Sequence, residues 1–161
     1  MTVQIRPGRD TDVASLVRVI NLAYEAERFF VLGDRTDEAD VRREMASGTF
    51  LVAAAGSLPP VGCVHVRVGG DVGTFGMLAV DPAHQGHGLG RQLIQAAERH
   101  AAGCGGRFME ILVVNLRDDL LRLYRRLGYG ETGVQPYVHR PTIQPCHFVI
   151  MRKSLEPHRV P

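Results

Sequence analysis

The chain has only three cysteines, Cys63, Cys104 and Cys146, scattered through 161 residues with no C-x-x-C spacing. An odd, dispersed set of this kind excludes a disulfide framework and a zinc cluster, and it fits reduced thiols in a cytosolic protein. No apolar run reaches the roughly 20 residues that a membrane span needs. The N-terminus has neither the basic start nor the apolar stretch of a signal peptide, so the expected location is the cytoplasm. Charge of one sign is scarce as well: 19 basic against 17 acidic residues leave +2, too weak an excess to point to nucleic acid. There is no internal repeat and no low-complexity segment. What is present is 45% hydrophobic and 22% charged, which rules out disorder. A chain of this length buries about 70% of its unfolded surface around one core.

Strand and helix patterns alternate, the mark of an α/β protein. Thr2 to Ile5 reads as a first strand, closed by Pro7-Gly8. Asp10 or Thr11 can cap a helix whose apolar positions are Val13, Leu16, Val17, Ile20 and Tyr24. Asp37 caps a second helix with Val41 and Met45 inward. Phe50 to Ala55 is uniformly apolar and so expected to be a strand buried on both faces. The next strand sets Val64, Val66 and Val68 on one face and Cys63, His65 and Arg67 on the other, which places His65 in solvent. Thr74 to Val80 follows as a strand. A helix then carries Leu89, Leu93, Ala97 and Ala101, with Gly103 as its left-handed stop. Phe108 to Val114, a helix with Leu120, Leu123, Tyr124 and Leu127 ending at Gly128, and strands near 129–134 and 146–153 complete the pattern. Residues 1–153 read as one domain and 154–161 as a frayed tail.

The informative segment runs from Met77 to Gly90. A glycine-rich turn between a strand and a helix exposes backbone N–H groups that, with the helix dipole, bind phosphate oxygens. The dinucleotide fingerprint G-x-G-x-x-G fails, because counted from Gly86 its third glycine is Arg91. The P-loop fails too, since no Gly-Lys-Ser/Thr follows. Taken alone, the loop is equally compatible with a tight turn.

Gln85-Gly86-His87-Gly88-Leu89-Gly90, preceded by Leu78-Ala79-Val80-Asp81-Pro82, resembles the acyl-CoA-binding motif of the GNAT superfamily of N-acyltransferases. After one helix and one strand, Val113-Val114-Asn115-Leu116-Arg117 and Leu123-Tyr124-Arg125-Arg126-Leu127-Gly128-Tyr129 resemble that family's second landmark. The resemblance covers nearly the whole chain. It implies one domain with a mixed, splayed sheet of about seven strands and about four helices on its two faces. The implied activity is direct transfer of an acetyl group from acetyl-CoA to an amine, without a metal, by a protein that pairs as a homodimer in many relatives.

Site residues follow from the same resemblance. Backbone N–H groups from Gln85 through His87, Gly88, Leu89 and Gly90 to Arg91 would cradle the pyrophosphate, Gly88 and Gly90 allowing close approach. Leu78, Ala79 and Val80 would pair with the pantetheine arm like an added strand, and an N–H there would polarise the thioester oxygen. Tyr124 matches the tyrosine that protonates the departing thiolate, although it also lies on the apolar stripe of its helix. Asn115 would hydrogen-bond the pantetheine or cap the following helix. Many members carry a carboxylate where Gly76 and Met77 stand here, and neither of these takes a proton. Glu110 is the candidate base if its strand face is buried, a wet edge being the alternative. Tyr24, Phe29, Phe30, Tyr137 and His139 are candidates to wall the amine pocket.

The mixed charges Glu25, Glu27, Arg28, Asp34 and Arg35 favour neither a cationic nor an anionic acceptor. Three readings are therefore open: a small-molecule N-acetyltransferase, an acetyltransferase of proteins or peptides, and a non-catalytic acyl-CoA-binding module.

Overall fold

The computed structural model describes residues 2–156. Among them, in chain order, are β1 (Gln4–Pro7), α1 (Val13–Tyr24), α2 (Glu38–Ser47), β2 (Thr49–Ala54), β3 (Gly62–Gly69), β4 (Val72–Val80), α3 (Leu89–Gly103), β5 (Phe108–Val114), α4 (Asp118–Arg126), β6 (Gly130–Pro136) and β7 (His147–Ser154). The strands form one mixed sheet in the order β1-β2-β3-β4-β5-β7-β6, antiparallel everywhere except between β4 and β5. That single parallel pair requires a crossover, and α3 supplies it.

The two faces are covered by different helices. Val13, Leu16, Val19 and Ile20 of α1 and Val41 of α2 pack on Phe50, Val52, Cys63, Met77 and Ala79. Leu89, Leu93, Ile94, Ala97 and Ala101 of α3, with Leu121 and Tyr124 of α4, pack on the opposite face. Each large aliphatic side chain buried this way contributes about 1.5–3 kcal/mol. β2, an inner strand with helices on both sides, is buried from Phe50 to Ala54, as its uniform apolarity predicts. Asp37 caps α2 as expected, its carboxylate accepting the Asp40 N–H at 2.8 Å.

Several local expectations shift. β1 begins two residues later than its pattern suggested and includes Pro7, which an edge strand tolerates because one side of it needs no N–H. Neither Asp10 nor Thr11 caps α1; a single 3-10 turn over Asp10–Asp12 precedes the helix, and Asp12 takes the cap position. The Asp12 carboxylate is spent on Arg6, at 2.8 Å and 3.0 Å, and on the Arg9 N–H. Gly103 is not the left-handed stop of α3: it stays helical, and the positive φ falls on Gly105. The N–H of Gly106 then returns to the Ala101 carbonyl at 2.8 Å. The expected frayed tail is also partly tied down. Ser154 closes β7, the Leu155 N–H donates to the Arg107 carbonyl, and Glu156 pairs with Arg107 at 2.7 Å. Residues 157–161 of that tail lie outside the described residues.

The feature that positions the site is a fork. β4 and β5 pair over Val72–Thr74 and Phe108–Glu110 and then part. A bulge in β4 bends it away: Cys63 faces Ala79 and His65 faces Gly76, so Met77 and Leu78 together oppose Val64. Met77 carries a φ of 50°, rare for a residue with a side chain, and its carbonyl accepts the buried Cys63 thiol at 3.4 Å. Beyond the fork, the cleft-side edges of β4 and β5 are left without ladder partners.

Candidate active site

The fork opens into a cleft of ≈ 1220 Å³ that runs from the loop before α3 to the segments joining α1 to α2 and β6 to β7. That volume exceeds what a drug-sized molecule needs. It fits an elongated ligand with room for a second one.

At the α3 end, the chain turns through a 3-10 turn at Pro82–His84, held by Asp81, whose carboxylate accepts the Ala83 N–H at 2.9 Å. That bond, aided by Arg18 at 3.2 Å, holds the Asp81 carboxyl below the usual carboxylate range. The Gln85 amide donates back to the Val80 carbonyl at 3.0 Å, which fixes the loop against the end of β4. Gly86 and Gly88 adopt φ values of 85° and 78°, so the turn itself demands glycine at these two positions. The Gln92 N–H makes the first helical bond, to the Gly88 carbonyl. The N–H groups of Leu89, Gly90 and Arg91 therefore have no partner within the helix and face an anion-favouring helix end. A Cβ on Gly86 or Gly88 would meet no protein atom within 4 Å, so the cradle is open. Leu78, Ala79, Val80, Gln85, Gly86, Gly88, Leu89, Gly90 and Arg91 all line the cleft, whereas His87 does not.

Midway, Tyr124 projects from α4 into the cleft with its ring packed on Phe75 and Tyr129, at centroid distances of 6.0 Å and 5.7 Å. It is at once a core residue and a cleft residue. Burial pushes its phenol pKa up, so the proton stays on the oxygen through neutral pH. Asn115 neither lines the cleft nor caps α4. Its side-chain oxygen accepts the His147 N–H at 2.8 Å, extending the β5–β7 ladder by one step. Glu110 lies at the throat of the fork, paired with Thr74, but its side chain is half-exposed and not buried. Arg152 donates twice to its Oε2, at 3.2 Å and 2.9 Å.

At the far end, Tyr24, Tyr137 and His139 line the cleft. Phe29 and Phe30 do not: Phe30 is 0% exposed, beneath Tyr137 and Phe148, while Phe29 is 49% exposed on the outside. The adjacent pair straddles a chain that passes over the core, so only one ring can be inside. His65 is not solvated either. It lies under α2 with its ring 4.8 Å from that of Phe50, its Nε2 2.7 Å from the Glu44 carbonyl and its Nδ1 3.3 Å from the Glu44 carboxylate.

Three arginines complete this end that sequence reasoning did not assign. Glu27, buried, is held by Arg140 at 2.9 Å and Arg117 at 3.5 Å. Arg35 lies over the ring of Tyr24 at 5.3 Å. Desolvation outweighs these cations and raises the Glu27 pKa. No local pattern joins Glu27 to Arg140, 113 residues later in the chain. The isolated bridge between Val31 and Thr142, with the Gln144 amide donating to the Phe29 carbonyl at 2.9 Å, lays the two segments together.

A mixed sheet forked at its one parallel pair, with a glycine turn at the helix end of the fork, defines an α/β domain with one open cleft. Residues 16–129 match the model of the acetyltransferase (GNAT) family, and the chain belongs to that family. It is similar to the mycothiol acetyltransferase of Gordonia bronchialis, 35% identical over 71 residues that cover 44% of this chain and 23% of that protein. It is also similar to the L-methionine sulfoximine/L-methionine sulfone acetyltransferase of Salmonella typhimurium, 32% identical over 82 residues, 51% of this chain and 48% of that one. The chain thus spans less than half the length of both relatives. The structure of yncA from Salmonella typhimurium, solved with acetyl-CoA, shares the fold, with a TM-score of 0.74 and 22% identity over 100% of this chain and 98% of that one.

Proposed function

We propose that this chain transfers the acetyl group of acetyl-CoA directly to a primary amine of a small molecule. The observation that carries this reading is the continuity of one cleft from the open N–H cradle at Gly86–Arg91, past the unpaired edge of β4, to Tyr124 and the pocket beyond it. Acetyl-CoA supplies an already activated thioester, so the reaction needs only positioning and proton management.

In this reading the N–H groups of Leu89, Gly90 and Arg91 take the pyrophosphate, and the β4 edge at Leu78–Val80 pairs with the pantetheine arm. A β4 N–H polarises the thioester carbonyl as the amine attacks. Tyr124 gives its proton to the leaving sulfur. Burial holds the phenol above its usual range, so the hydroxyl carries its proton when the sulfur leaves. Glu110 lacks the burial that would strengthen it as a base, so its part is that of a relay: its Oε1, which has no protein partner among the described residues, passes the amine's proton to solvent. The acceptor binds between Tyr24, Tyr137 and His139, and the protein works in the cytosol, as a homodimer if it follows many relatives.

Thermal unfolding with and without acetyl-CoA, and with NAD as control, tests the reading. At about 100 times the dissociation constant the ligand adds ~2.7 kcal/mol, roughly 5–10 °C for a domain of this size. A rise with acetyl-CoA alone is expected; no rise, or an equal rise with NAD, overturns it.

A further inference from the structure

The charges that line the cleft sort by partner. Glu27 has Arg140 and Arg117, and Glu44 has Arg67. Asp34 has Arg28, Asp40 has Arg43, and Glu110 has Arg152. Asp37 is occupied as the cap of α2. Among the described residues, two guanidinium groups of the lining have no carboxylate: Arg91 and Arg35. Arg91 stands at the helix end that suits a phosphate ligand. Arg35 stands at the opposite end, half-buried and laid on Tyr24.

Arg117 and Arg140 converge with Arg35 on the carboxylate of Glu27; Arg117 is held by Asp119 as well, at 3.0 Å, and Arg35 makes no ion pair of its own among the described residues. The Arg140 Nε is buried with no acceptor. Burial, then Arg35 and Arg140, disfavour protonation of His139 beside them. Among the described residues, Asp37 is the one lining carboxylate at this end without a guanidinium partner, so an ammonium group has a counter-charge there. An acceptor that also brings an anion would give Arg35 the partner it lacks, through a charge-assisted bond to a planar fork suited to carboxylates.

The geometry points to an acceptor that is a small amine bearing a carboxylate, of amino-acid type, with the carboxylate seated on Arg35. This rests on the acetyltransferase reading above. The linear run of mixed charge from Glu25 to Arg35 hides it: Arg28 takes up Glu25 and Asp34, Glu27 goes to the two distant arginines, and Arg35 alone is left over.

The test is CoA release from saturating acetyl-CoA with free α-amino acids, including L-methionine sulfone, each beside its α-carboxamide. Tripeptide amides beginning with Asp or Glu form a third arm. A free amino acid is expected to exceed its amide by about 10- to 100-fold in kcat/KM. Arg35→Ala should erase that preference by raising KM for the acid, and Arg35→Lys should restore part of it. Turnover of no amino acid, equal turnover of the amides, preference for the peptides, or a preference that survives Arg35→Ala overturns the proposal. So does a weaker acetyl-CoA affinity in Arg35→Ala, which would assign this arginine to the donor. Failure of the acetyltransferase reading itself is distinguishable, because wild-type protein would then show no acetyl-CoA thermal shift, or a shift with no CoA release to any amine offered, simple alkylamines included.

Discussion

His65 of β3 stands directly across the ladder from Gly76 of β4, and a side chain built on Gly76 would meet no atom within 4 Å. The missing side chain leaves its volume to the cleft, on the sheet face that also carries Met77 and Glu110. The histidine opposite is turned under α2. A carbonyl can only accept, so the 2.7 Å contact with Glu44 O places the ring proton on Nε2.

Burial, only partly opposed by Glu44, lowers the His65 pKa, so the folded state resists the proton that the unfolded state takes up near pH ~6.5. The stability this gives is fully present above pH ~6.5 and is lost as pH falls below it, with a ceiling of about 1.4 kcal/mol per pH unit for one proton. His65→Gln keeps a donor for the Glu44 carbonyl but cannot titrate. Urea unfolding at pH 7.5 and 5.5 should show a smaller acid loss in the variant than in the wild type. Glu27, with its pKa raised, acts in the opposite sense as pH rises above ~4.5, but it is common to both proteins and cancels in the difference. Equal acid losses would place His65 in a titrating, solvated setting.

Gly88 and Gly90 separate the turn's needs from the ligand's. Gly88 sits at φ 78°, so Gly88→Ala costs about 1–2 kcal/mol of backbone strain. Gly90 lies inside α3 at ordinary φ, and its added Cβ would stand 3.8 Å from Val80, an ordinary contact. Gly90→Ala should therefore stabilise the free protein by up to about 1 kcal/mol through helix propensity while weakening acetyl-CoA binding. Chemical denaturation and titration calorimetry read the two effects separately. A stabilised variant with unchanged acetyl-CoA affinity would remove Gly90 from the cradle.

How much of this was legible in the sequence depended on the range of the interaction. The apolar stripe of α3, the doubly buried β2 and the glycine turn are written in neighbouring residues, and they stand where their spacing put them. His65 was misplaced because alternation describes a strand with one wet face, whereas β3 is inner and its second face is covered too, Cys63 within the α1 cluster and His65 under α2. Only Arg67, past the cover, is exposed as the pattern expects. Asn115 and Glu110 were read from their own strand alone, but their partners, His147 and Arg152, belong to β7. The pairing of Glu27 with Arg117 and Arg140 needs three separate segments to meet, and no local motif encodes it.

Tyr124 tests the chemistry. Phe75 and Tyr129 pack against its ring and not its oxygen, so Tyr124→Phe preserves the packing and should leave stability within about 0.5 kcal/mol. Acetyl-CoA affinity should be unchanged, because the hydroxyl is needed only when the sulfur leaves. Turnover should fall about 100-fold or more, with kcat carrying the loss and KM for the amine little affected. A thioester with a better leaving group, such as an acetylated aryl thiol of low pKa, should narrow the gap between variant and wild type, since such a thiolate departs without a proton. If the two proteins differ equally on both donors, or do not differ at all, the hydroxyl is not the acid and Tyr124 is a core aromatic alone.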